Sequence, residues 1–154
     1  MNVNIEQLGL IGIFLAGAIP WMEAAAVVPG GIILGLDPTA TVIAATIGNA
    51  LTIFLFAYLG SNIRTWVMKR RVAKGKTAES PKYEKALKAF DKYGIYGMAF
   101  LGPVFIGTQF AAAASVAAGV KPLRTSIIIS TAMVIWAVAI ASLVIAFDLD
   151  LDLL

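Results

Sequence analysis

Four stretches of this chain are almost free of charge, and each is long enough to cross a lipid bilayer. Residues 7–36 hold only Glu23, and residues 38–63, 93–120 and 125–147 hold no charged residue. About 20 apolar residues suffice for a helix to span the hydrocarbon core. In that setting every backbone polar group must be satisfied internally, which leaves helices as the natural solution. The composition agrees: 60% of the 154 residues are hydrophobic and 14% are charged. A soluble domain carries roughly 25% charge. The expectation is one all-α integral membrane domain over 1–154, in a cell (inner or plasma) membrane, with the lipid bilayer as its first partner.

The charges collect in one place. Residues 64–92 contain ten of the twelve basic residues and three acids, Glu79, Glu84 and Asp91. Short loops rich in Lys and Arg stay in the cytoplasm, so this segment reads as a cytoplasmic basic linker. Its second half reads as an amphipathic helix, with Ser80 as cap and Pro81 in the first turn. Tyr83, Ala86, Leu87 and Phe90 fall on one face with lysines opposite, as in a helix lying on an anionic membrane surface. Gly75-Lys76-Thr77 is not a phosphate-binding P-loop, because the required first glycine would fall at Arg70.

The two halves echo each other. Gly9-Leu10-Ile11-Gly12 matches Gly94-Ile95-Tyr96-Gly97, and Gly35-Leu36-Asp37-Pro38 matches Gly119-Val120-Lys121-Pro122. Repeat 1 is assigned to 5–63, the linker to 64–92, repeat 2 to 93–147 and an acidic tail to 148–154. Each long block is interrupted by helix breakers: Pro20, Pro29 and Gly30 in the first, Pro103 and Gly107 in the second. Two topologies follow. If the blocks are kinked spanning helices, Lys121 and Arg124 lie outside. If they are re-entrant hairpins, Glu6, Asp37 and the acidic tail lie outside, and every short loop obeys the positive-inside rule. The second reading is the expectation: two inverted repeats, each a re-entrant helical hairpin plus a transmembrane helix, a plan shared by many transporters, with both termini outside.

Glu23 is the one ionisable group at membrane depth. A charge there costs about 2.5–3.5 kcal/mol on insertion scales. A carboxylate so placed suits a proton-coupled carrier or a cation site; the structural reading is a group that ties broken helix ends. Thr108 and Gln109 occupy the corresponding place in the second repeat, either for substrate or for freed backbone groups. Asn49 forms a short polar stripe with Thr46 and Thr52, for substrate contact or as interhelical glue. The alanines at 111–114 and the Gly31-x-x-x-Gly35 spacing read as close helix packing. There is no histidine and no cysteine, which excludes a Cys/His zinc site, a Ser-His-Asp triad and a Cys-His pair. No enzyme activity, cofactor, metal or nucleic-acid partner is expected.

These residues resemble the small multidrug export family of bacterial and archaeal membrane proteins, which looks like a distant relative of the DedA (SNARE-associated, VTT) membrane proteins. The resemblance rests on Glu23, Pro29 and Gly48-Asn49 in the first half. In the second half it rests on Pro103, Gly107-Thr108, the alanine run and Gly119. Two positions depart from the pattern: Ala24 follows Glu23 where the family usually has Arg, and Phe105, Ile106 and Thr108 stand where DedA proteins carry arginines. The resemblance implies a small transporter or permease. The substrate would be a small hydrophobic or cationic compound or a lipid. Four short elements make a thin wall around any path, so a homodimer or higher homo-oligomer is expected. A DedA-like lipid flippase or scramblase and a non-transporting scaffold or accessory subunit are the alternatives.

Overall fold

The computed structural model describes residues 5–20, 22–78 and 81–151, and the described residues form helices joined by short turns with no strand. In order these are α1 (Ile5–Gly17), α2 (Ala24–Ile33), α3 (Pro38–Ala73), α4 (Pro81–Leu101), a π-helical turn (Gly102–Ile106), α5 (Thr108–Ala117) and α6 (Pro122–Leu151). Ser80, proposed to cap α4, lies outside the described residues, as do Trp21, Glu79 and the end of the acidic tail.

Among the described residues, two helices are long and apolar enough to cross a membrane, over Pro38–Gly60 of α3 and Pro122–Phe147 of α6. Only 39% and 28% of their most apolar windows are buried, so neither is the core helix of a soluble protein. Leu, Ile and Phe side chains such as Ile43, Ile47, Leu51, Ile127 and Ile135 are exposed, while much of the buried set is Ala, Thr, Ser and Asn. Small and polar groups inside with large apolar groups outside is the arrangement lipid favours, since lipid supplies no hydrophobic drive for helix association.

The residues cluster into two compact units, one of Met1–Leu51 with Thr131–Leu154 and one of Thr52–Ser130. In the first unit α1 ends at Gly17 because Pro20 disfavours helical backbone at the residue before it. The connection runs from 18 to 23, and α2 begins after Glu23, whose extended backbone (φ −67, ψ 145) leaves its carbonyl to accept from the N–H groups of Ala26 and Val27. The helix break therefore lies at Pro20 and Glu23. Pro29 and Gly30, assigned to it from sequence, sit inside α2 instead. An interior proline costs about 3 kcal/mol. Burying Val27 and Val28 on the same helix contributes roughly 1.5–3 kcal/mol each and offsets it. The neighbouring Gly31 is a packing position: a Cβ there would meet Thr41 Cγ2 at 2.5 Å and Ile13 Cδ1 at 2.9 Å.

In the second unit α4 carries a kink at Gly94 (φ 64, ψ −170) that separates a polar half from an apolar one. Pro103 does not break the chain. It lies in the π-helical turn, which closes with Gly107 N–H donating to the Gly102 carbonyl at 2.7 Å. A proline has no N–H for the i−4 carbonyl, and widening the turn is a recognised response. The break falls at Gly107, whose φ of 102 and ψ of 134 lie where side-chain-bearing residues are strained.

The basic segment 64–92 differs from an irregular loop. Residues 64–73 continue α3, and only 74–80 separate it from α4. No Gly or Pro interrupts 61–73, and basic residues at a helix C-terminus complement the macrodipole. The apolar face of the polar half of α4 is not left wholly to lipid either: Tyr83 and Ala86 are buried in this unit, and the Lys82 ammonium lies 5.8 Å from the Phe110 ring on α5.

The two Gly-x-charge-Pro turns fold alike. Gly35 (φ 81) donates to Ile32 and Leu36 donates to Gly31; Gly119 (φ 99) donates to Val116 and Val120 donates to Ser115. Both are Schellman caps, which need a left-handed residue at the glycine position. Pro38 and Pro122 then start α3 and α6, where proline's missing N–H costs nothing. Asp37 also caps α3 through its carboxylate, which accepts from Ala40 N–H at 2.7 Å.

Candidate functional site

Glu23 stands at the N-terminus of α2, half-buried, in the gap between two short helices. Its backbone carbonyl serves α2, but its side chain makes no capping bond to that helix. The carboxylate is directed instead to α3, where Oε2 accepts a hydrogen bond from Asn49 Nδ2 at 3.4 Å. That is long against the usual 2.9 Å or so for N–H···O. Asn49 itself is fully buried.

The approach of α1 and α3 sets this geometry. A Cβ on Gly48 would overlap the Phe14 carbonyl oxygen and reach 3.0 Å from Ala18 N, and one on Gly17 would come 2.5 Å from the Ala45 carbonyl oxygen. Glycine on each helix therefore lets backbone touch backbone, which brings Asn49, the next residue, against the start of α2. Thr46, one turn earlier, spends its hydroxyl on the Val42 carbonyl at 2.7 Å and is not part of the pair.

In the second unit Thr108 and Gln109 begin α5 directly after the Gly107 break, and both are fully buried. Gln109 Nε2 donates to Thr52 Oγ1 on α3 at 3.3 Å. The alanines around them allow close packing: Ala111, Ala112 and Ala114 are fully buried, and a Cβ on Gly102 would stand 3.0 Å from Ala111 Cβ. The sequence candidates thus form two pairs, Glu23 with Asn49 in the first unit and Gln109 with Thr52 in the second.

Some polar positions were not singled out from sequence. The hydroxyls of Thr41, Thr125, Ser126 and Ser130 are buried without a hydrogen-bond partner. Thr41 and Thr125 each fall three residues after the proline that opens their helix, so the repeated turn was a signal for them. An unmatched buried hydroxyl costs about 1–3 kcal/mol. The second missed feature is a basic cavity of about 220 Å³ at the end of α3, lined by Trp66, Val67, Arg70, Arg71, Lys74 and Lys76. No group of three or more metal-ligating side chains occurs among the described residues.

Described residues that are all helix and turn, with two spanning-length apolar helices among them, large apolar side chains exposed and polar pairs buried, make this an integral membrane protein. Comparison with protein-family models matches residues 23–139 to the family described as "Putative small multi-drug export protein". The match covers well over half of the chain and begins at Glu23, and the chain belongs to that family. No curated protein and no solved structure matches it.

Proposed function

We propose that this protein is a small secondary transporter that exports small hydrophobic or cationic compounds in exchange for protons, with Glu23 as the group that alternates between proton and substrate. The observation that carries the reading is the placement of Glu23: a carboxylate between two apolar helices, not used as a helix cap, and reached by a buried amide from α3. Asn49 orients the carboxylate; Thr108 and Gln109 are the polar candidates of the second unit taken by itself.

The chain is read as two inverted repeats, each a re-entrant hairpin followed by a spanning helix. Support comes from α2 and α5, which have ten residues each and end in the same glycine cap before a proline-initiated helix. At about 1.5 Å per residue each is some 15 Å long, half of the hydrocarbon core. On this reading the basic segment 64–92 is cytoplasmic and both termini lie on the other side. A homo-oligomer encloses the path, since few elements are available to enclose one in a single copy.

Reconstitution into liposomes with an internal pH-sensitive dye tests the reading. Proton flux that depends on an added lipophilic cation is expected. Movement of labelled lipid without proton flux would replace it with a flippase of DedA type, and neither activity would favour a scaffold.

A further inference from the structure

We propose that the C-terminal end of α3 and the turn after it form a binding site for the phosphate of an anionic phospholipid headgroup. The site lies within the second unit and is independent of the transport reading.

Residues 64–76 contain Arg64, Lys69, Arg70, Arg71, Lys74 and Lys76 and no acid. Helix and turn fold four of these cations around one cavity. Lys74 N–H and Lys76 N–H both donate to the Arg71 carbonyl, and Gly75 (φ 69) supplies the left-handed residue that turns the chain back. Lys74 and Lys76 are thereby returned to the helix end that carries Arg70 and Arg71. Arg71 is held in place: Nε donates to the Thr77 carbonyl at 2.9 Å and Nη2 to Thr77 Oγ1 at 3.3 Å. This gives the Gly75-Lys76-Thr77 segment a role without a P-loop. The Arg70 guanidinium lies 4.1 Å from the centre of the Trp66 ring. Stacking fixes the plane of a guanidinium and leaves its edge of N–H donors for a planar or tetrahedral oxyanion.

Size and position select the ligand. At about 220 Å³ the cavity is smaller than the roughly 300–1,000 Å³ of pockets for drug-sized molecules. It suits a phosphate with a small substituent and not a transported drug. The apolar span of α3 ends at Gly60, and Trp66 follows less than two turns later with 55% of its surface exposed. Tryptophan so placed belongs at the headgroup level. Side chains on a helix lean toward its N-terminus, here toward the span, and the stacking of Arg70 back onto Trp66 follows that lean. Arg70 therefore faces the layer where lipid phosphates lie, and juxtamembrane basic clusters gain about 1 kcal/mol per charge from anionic lipid.

The test uses the full chain in detergent micelles, titrated with short-chain phosphatidylglycerol, short-chain phosphatidylcholine and inorganic phosphate, with binding read by tryptophan fluorescence and by native mass spectrometry. Phosphatidylglycerol is expected to bind at least about tenfold more tightly than phosphatidylcholine, with a fluorescence change absent in Trp66→Phe. Arg71→Lys keeps the charge and removes the paired contacts to Thr77, and should weaken binding about tenfold. Lys74→Gln and Lys76→Gln alter exposed side chains, so they carry the test if Arg71→Lys does not fold; each should weaken phosphatidylglycerol binding. Equal binding of the two lipids, or unchanged binding in the folded variants, overturns the site. Saturation by inorganic phosphate at the same concentration overturns the lipid assignment in favour of a soluble anion.

Discussion

Gly48→Ala should destabilise the protein, while the same change at Gly12 or Gly30 should not. All three glycines lie in helices, where replacing Gly by Ala gains about 1 kcal/mol from propensity. At Gly12 and Gly30 a Cβ meets nothing within 4 Å, so that gain stands alone. At Gly48 the new atom overlaps the Phe14 carbonyl oxygen and lies 3.1 Å from its carbon and 3.0 Å from Ala18 N. These are backbone atoms, and no rotamer change relieves the overlap. Overpacking costs about 1–3 kcal/mol, and rigid neighbours argue for the upper end, leaving a net loss of about 2 kcal/mol after the propensity gain. With roughly 2–4 °C per kcal/mol for a chain of this size, Gly48→Ala should melt about 4–8 °C below wild type and Gly12→Ala about 2–4 °C above it. Thermal melts of detergent-solubilised protein, followed by the monodisperse fraction on size exclusion, measure both. Equal melting of the two variants would refute the close approach of α1 and α3, and with it the reason Asn49 meets Glu23.

Gly107→Ala should cost about 1–3 kcal/mol in the same melts, because its φ of 102 strains any side-chain-bearing residue; a neutral effect would mean the second break lies elsewhere. Thr125→Val should be neutral or stabilising, since its buried hydroxyl has no partner and removing an unmatched polar group recovers its desolvation cost. Ser115→Ala, which loses a 2.7 Å bond to the Ala111 carbonyl, should cost about 0.5–1.5 kcal/mol, so the order of the two variants is the check. Reporter fusions at residue 77 and at the C-terminus should report opposite sides of the membrane; the same side for both would remove the proposed hairpin topology.

The helices were legible where the signal was local. Absence of charge marked the apolar stretches, and Gly35 with Pro38 and Gly119 with Pro122 marked turns whose chemistry needs no tertiary contact. The breaks were only half legible. Pro20 and Gly107 act through their own backbone, but Pro29 and Gly30 are held in α2 by burial of Val27 and Val28, which the sequence does not display. The second half of the basic segment was legible as a helix from its periodicity, but residues 64–73 were read from charge alone, and charge does not distinguish a loop from the solvated end of a long helix. Glu23 and Asn49 were each visible as polar residues in apolar runs. Their pairing depends on Gly48 and Gly17 bringing two backbones together, a contact between elements distant in sequence. The cavity beside Trp66 escaped notice because Gly75 folds the chain back on itself, and a list of cations carries no such geometry.

Proton exchange at Glu23 is tested most directly by Glu23→Gln in proteoliposomes, with substrate-dependent proton flux and thermal stability measured on one preparation. The substitution keeps the size of the side chain and its acceptor oxygen for Asn49 while removing the exchangeable charge. The variant should melt close to wild type and lose proton flux coupled to the lipophilic cation. Wild-type coupled flux in a folded Glu23→Gln protein would contradict the account. So would a large fall in melting temperature with coupling intact, which would make Glu23 a structural tie between α2 and α3.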